Sequence, residues 1–273
     1  MNGNHALRQN YEQVLERIRN ACEAAGRPAD SVRLLAVSKA FPAASVLALA
    51  ALGQRAFGEN YLQEALDKIA ACSDERSASA AAGSTPAARQ ALHEGPAIER
   101  PIEWHFIGPI QSNKTRAIAA HFDWVHSVDR EKIAHRLSGQ RPAGMPALNL
   151  CLQVNVSGEA SKSGVAPGEA VALAMAVATL PRVRLRGLMA IPEPADDPAL
   201  QRARVAALRE LHARVRAPLA ADAASGFDTL SMGMSADLES AVMEGATIVR
   251  VGSALFGARP LSSSLGSSLS SST

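Results

Sequence analysis

Apolar positions along this chain fall into two alternating patterns. Short, nearly continuous apolar runs are separated by longer stretches in which apolar residues return every three or four positions, the signatures of buried strands and amphipathic helices. The first stretch is helical: Leu7, Tyr11, Val14, Leu15, Ile18 and Cys22 share a face, and Gly26 and Pro28 end it, so the spacing predicts a helix over 6–25. A buried strand over 33–39 follows, led in by Pro28 and Asp30 and closed by Pro42. Pro42 opens a helix that Gly53 ends. Residues 55–58 read as a strand with Glu59, Asn60 and Tyr61 at its carboxyl end, and 62–71 as a helix. The periodicity then lapses. Residues 72–100 are mostly Ala, Ser, Arg and Gly, which predicts a surface insertion. Strands are expected over 102–108, 122–127, 147–156, 183–190, 229–230 and 247–251, and helices around 114–121, 129–137, 167–180 and 200–215. One more helix is expected to be capped by Ser235 and stopped by Gly245, and the serine-rich residues 261–273 read as a disordered tail.

Strict strand–helix alternation argues for a parallel sheet in the α/β class. About eight such units in 273 residues predict a closed (β/α)8 barrel of the TIM type with an extra N-terminal helix. The barrel domain is expected over 1–260, with the insertion at 72–100. An open doubly wound sheet is the alternative, disfavoured because no GxGxxG follows the first strand.

Composition narrows the function. Apolar residues make up 47% of the chain, enough for a sizeable core, while aromatic residues make up 4%, so that core is aliphatic. A net charge of +2, with no clustered basic face, excludes a nucleic-acid partner. Cys22, Cys72 and Cys151 lie far apart without a CxxC, which fits free thiols in a reducing compartment. Residues 1–10 hold no apolar signal core, and the longest apolar run, 170–180, is far short of the roughly 20 residues that span a membrane. A cytoplasmic protein is expected. His105 and His126 sit on strands at a spacing that suits buried, hydrogen-bonded histidines rather than metal ligands, so no metal is expected.

In such a barrel, chemistry gathers at the carboxyl ends of the strands. If Leu35 and Val37 face the interior, Lys39 shares their side. A lysine there must be paired, neutral or covalently modified, and we read it as an imine with an aldehyde cofactor. Ser231, Met232, Gly233, Met234 and Ser235 follow the seventh strand, and Gly252 and Ser253 the eighth. Barrels commonly hold phosphate there on backbone N–H groups, and the serine hydroxyls could add donors. Arg250 points inward and needs a partner: either a pyridine nitrogen or a carboxylate such as Glu59. An aldehyde, a phosphate and a ring nitrogen together describe pyridoxal 5′-phosphate (PLP).

The same residues carry a family resemblance. LLAVSKAFP, FGENYLQEALDK, WHFIGPIQSNKTR, FDWVHSVDREKIAHRL, CLQVNVSGEASKSG, VRLRGLMAIPEP and LSMGMSADLESAVMEGATIVRVGSALFGAR occur in order. Together they resemble the PLP homeostasis proteins, which are similar to the N-terminal barrel domain of alanine racemase. The resemblance covers about 6–259 outside the insertion. It implies that Lys39 is the Schiff-base lysine, that the 231–235 and 252–253 loops bind the phosphate, that Arg250 faces the ring nitrogen, and that Asn60 and Met189 line the pocket. Ala40 departs from the threonine usual in the family. A racemase needs a base on each face of the cofactor, and the only tyrosines are Tyr11 and Tyr61. The expected function is therefore a monomeric, non-catalytic carrier that passes PLP to PLP-dependent apoenzymes in transient encounters. A racemase-like enzyme and a cofactor-free Schiff-base aldolase are the rival readings. Lys162 is a candidate second amine during release.

Overall fold

The computed structural model describes residues 2–82, 101–157 and 163–257. Eight parallel strands close into one barrel in sequence order: β1 (Arg33–Val37), β2 (Ala56–Glu59), β3 (Glu103–Phe106), β4 (Trp124–Val128), β5 (Leu148–Gln153), β6 (Val183–Met189), β7 (Thr229–Ser231) and β8 (Ile248–Val251). Closure is made by β1 on β8, with Leu35 opposite Arg250. This excludes the open doubly wound sheet.

Helices follow the strands: α1 (Asn2–Ala24) before the barrel, then α2 (Ala43–Ala51), α3 (Leu62–Ala82), α4 (Thr115–His121), α5 (Glu131–Gln140), α6 (Ala170–Ala178), α7 (Pro198–Arg216), α8 (Ala221–Gly226), α9 (Leu238–Met243) and α10 (Ser253–Phe256). The period-two pleat divides each strand. Leu34, Ala36, Phe57, Leu230, Val249 and Val251 point outward into the main apolar layer, which also holds Val46, Leu49 and Ala65 from the helices. Leu35, Ala56 and Ile248 form a separate small cluster inside the barrel, and Trp124, Cys151 and Met189 another.

Several boundaries differ from the sequence pattern. The helix read as ending at residue 71 continues to Ala82, so the first part of the expected insertion is helical. Alanine-rich sequence has the highest helix propensity, and it needs no apolar stripe to stay helical. The rest of the insertion, Lys162 and the serine-rich tail lie outside the described residues. Ser235 does not cap α9; Asp237 stands at its N-cap position and takes the Met234 N–H at 2.6 Å instead. Helix α8 carries no buried residue and left no apolar signal to read.

Helix α1 packs on α9 and α10, across the β1–β8 seam. Arg27 Nη1 donates to Val242 O at 2.7 Å, Asn10 Nδ2 to Leu255 O at 2.9 Å, and Arg17 forks onto both carboxylate oxygens of Glu239.

Candidate cofactor site

Lys39 sits half-buried in the turn just past β1, the strand whose Leu35 lies inside the barrel. Asn60 leaves β2 on the neighbouring rim, and its Oδ1 is buried with no hydrogen-bond partner among the described residues. Such a group is costly to bury unless something fills its place.

Two loops complete the rim. After β7, Gly233 turns at φ +92, a conformation that suits glycine, and a Cβ there would strike the Ala241 methyl. Its carbonyl accepts the Arg250 N–H at 2.9 Å, while the N–H groups of Gly233, Ser235 and Ala236 donate to nothing among the described residues. After β8, Gly252 packs on Val37, and the N–H groups of Gly252 and Ser253 are likewise open. Met232 and Met234 give the loop backbone; the Met232 side chain itself is buried in the outer apolar layer. The expected hydroxyl donors divide. Ser231 is buried inside the barrel and bonded to Arg250 and His126, so it does not face the loop cradle. Ser235 and Ser253 lie on the rim.

Arg250 is buried, with Nη1 donating to Ser231 Oγ at 2.9 Å and Nη2 to Ala190 O at 2.8 Å. Glu59 is not its partner: Glu59 lies outside the wall, bonded to Lys68. Burial lowers the Arg250 pKa to about 10, which still leaves a cation at neutral pH. Met189 is fully buried beside Trp124 and Cys151, below the mouth.

From Arg250 a hydrogen-bonded chain crosses the barrel. Ser231 Oγ meets His126 Nδ1 at 2.8 Å, His126 Nε2 meets His105 Nδ1 at 2.9 Å, and His105 Nε2 meets Glu103 Oε1 at 2.7 Å. Arg33 donates to the same Glu103 oxygen at 2.5 Å. Burial pushes both histidines below their ordinary pKa, so both are neutral. With a donor at one end and a carboxylate at the other, one set of protons fits: Ser231 donates to Nδ1 of His126, and each Nε2–H donates onward. Glu103 falls to about 2, because His105 and Arg33 outweigh the burial that opposes its charge. The histidines were legible as buried and bonded; the chain that joins them was not, since it needs the barrel to close. At its far end a cleft of about 490 Å³ is lined by Arg33, Arg55, Glu103, Asp123, Arg141 and Asn149. The Arg141 and Arg55 guanidiniums there are bonded to backbone carbonyls, so they form no anion site.

The family profile described as "Alanine racemase, N-terminal domain" matches residues 5–260. A pyridoxal phosphate homeostasis protein of Pseudomonas aeruginosa is 57% identical over 253 residues, covering 93% of this chain and 96% of that one. This chain belongs to the pyridoxal phosphate homeostasis protein family. The Escherichia coli K12 member is 45% identical over 258 residues, covering 94% of this chain and 98% of its own. Among solved structures, PipY of Synechococcus elongatus with PLP bound is 35% identical with a TM-score of 0.67, covering 89% of this chain and all of that one. Alanine racemase of Corynebacterium glutamicum, 17% identical with a TM-score of 0.62 over 94% of this chain and 61% of that one, shares the fold.

Proposed function

We propose that this homeostasis-family protein binds PLP at the mouth, holds it as a Schiff base on Lys39, and passes it to PLP-dependent apoenzymes without turning over an amino acid. One observation carries the reading. An amine-bearing turn after β1 and two loops with open N–H groups after β7 and β8 leave the carboxyl ends of three neighbouring strands, with Arg250 buried inside the barrel on the middle one. The names of the curated relatives and the PLP-bound relative support it.

Lys39 supplies the amine that joins the aldehyde carbon, the carbonyl oxygen leaving as water. Gly233, Ser235, Ala236, Gly252 and Ser253 offer backbone N–H groups to the phosphate, and Ser235 and Ser253 can add their hydroxyls. Asn60 would line the pocket wall, and Met189, fully buried beside Trp124 and Cys151, packs behind it. Arg250, a cation fixed as a donor, presents N–H to the ring nitrogen and keeps that nitrogen unprotonated. PLP supplies an electron sink to amino-acid enzymes, and an unprotonated ring is a poor one. For a racemase a second base is wanted. Tyr61 is 59% exposed at the rim and Tyr11 lies in the apolar layer under α1, so neither is set for that role.

The three cysteines are buried and free, and burial pushes the Cys151 thiol up to about 12, as suits a reducing cytoplasm. No helix among the described residues is long and apolar enough to cross a membrane. We take the carrier to be a monomer, because the mouth is built from one chain. Borohydride reduction of the holoprotein followed by peptide mass spectrometry should place a pyridoxyl group on Lys39 and none in Lys39→Ala. The holoprotein should restore an apoenzyme while leaving L-alanine unracemised. Racemised alanine, or the label on another lysine, would overturn the reading.

A further inference from the structure

Behind the wall of the barrel, opposite the mouth side of Lys39, lies a buried cluster that the cofactor reading does not use. Lys68 of α3 has a side chain that is only 3% exposed. Its Nζ donates to Ser38 O at 2.8 Å, Glu59 Oε1 at 2.6 Å and Glu64 Oε1 at 3.1 Å. Those three acceptors use all its protons. Ser38 Oγ also donates to Glu59 Oε1, at 2.6 Å. Burial, more than Lys68 and Ser38 can offset, pushes the Glu59 carboxyl above its ordinary value, and its Oε2 has no partner among the described residues.

The cluster brackets Lys39. On one side, the Ser38 carbonyl is held by Lys68. On the other, the Ala40 N–H donates to Glu64 Oε1 at 2.6 Å. Ala40 stands at φ +65, in the left-handed region that a Cβ disfavours. Its side chain is exposed, so packing does not explain the conformation. Two bonds hold it: the Ala40 N–H on Glu64, and the turn that Phe41 N–H closes onto Ser38 O at 3.0 Å. Glu64 and Lys68 are one helical turn apart, on the face of α3 turned to the barrel.

We propose that Glu64 and Lys68 are positioning residues: by fixing the peptide groups on both sides of Lys39 they aim its amine into the mouth, and so set how fast the cofactor is captured rather than how tightly its phosphate is held. This rests on the reading of Lys39 as the cofactor-bearing residue.

Two variants test it. Glu64→Ala frees the Ala40 N–H, and Glu59→Gln/Lys68→Met removes the buried charges together, so that none is left stranded. Affinity for pyridoxine 5′-phosphate, an alcohol that cannot form the imine, should stay within about twofold of wild type, because the phosphate loops are untouched. The absorbance change on adding PLP should slow by about fivefold or more, the scale of releasing one left-handed residue. Glycine enters that region freely, so Ala40→Gly added to Glu64→Ala should recover most of the lost rate. Unchanged rates in both variants, a fall in analogue affinity parallel to the fall in rate, or no recovery with Ala40→Gly would each overturn the proposal. Acetic anhydride labelling of Lys39 in the apoprotein reads the clamp without cofactor. Altered Lys39 reactivity in the variants supports the clamp, even if wild-type protein were to trap no PLP and so sink the carrier reading; unaltered reactivity overturns it.

Discussion

At the scale of single residues, the barrel interior is a sequence of proton donors with a fixed direction. Glu103 ends it, held at about 2 by His105 and Arg33 against the burial that opposes its charge. A folded pKa below the ordinary value of roughly 4.3 stabilises the protein above that value, and the contribution is lost as pH falls toward 2. Urea denaturation at pH 4.5 and pH 3 should therefore show a steeper loss of stability in wild type than in Glu103→Gln. Equal slopes would mean that Glu103 gains nothing from His105 and Arg33. Arg250 was legible because it is a charged residue within an apolar run, where alternation fixes the side it faces. Lys68 was not. The EALDK segment reads only as part of a helix over 62–71, and only the fold reveals that Glu64 and Lys68 turn inward onto the residues beside Lys39.

At the scale of elements, the strands were found because they are apolar runs bounded by turns, and the pleat assigned Leu35 and Arg250 to the interior. Several lengths were overestimated, since an apolar residue just past a strand packs as well as one within it: residues 147–156 read as one run, but β5 is Leu148–Gln153, whereas β7 runs one residue past the expected 229–230. The extension of α3 was missed because its second half lacks periodicity. Close approach of β6 and β7 is a finer feature. A Cβ on Gly187 would collide with the Thr229 carbonyl, whereas one on Gly139, inside α5, would meet nothing within 4 Å. Gly187→Ala should cost about 1–3 kcal/mol by overpacking the wall. Gly139→Ala should stabilise by roughly 0.5–1 kcal/mol through helix propensity. Paired denaturant titrations check both, and a tolerated Gly187→Ala would mean that the two strands can part.

At the scale of the whole molecule, PLP should act as a stabilising ligand. At about a hundred times its dissociation constant it should add about 2.7 kcal/mol to the unfolding free energy. Thermal melts over a PLP series should show the logarithmic rise, and Lys39→Ala should show a smaller one if, as proposed, the loops after β7 and β8 hold the phosphate. No rise at all in Lys39→Ala would dismiss those loops as the anion cradle. The site is shared between the two ends of the chain: β1 pairs with β8, α1 bonds to α9 and α10, and Phe41 stacks on Phe256 with ring centroids 4.8 Å apart. On the proposed reading, a polypeptide still growing on the ribosome would carry its reactive amine long before the segment that is to receive the anion has been made. Vitamer capture would then be confined to finished molecules, and a chain truncated ahead of its last strand would be barred from removing B6 from the cell's supply.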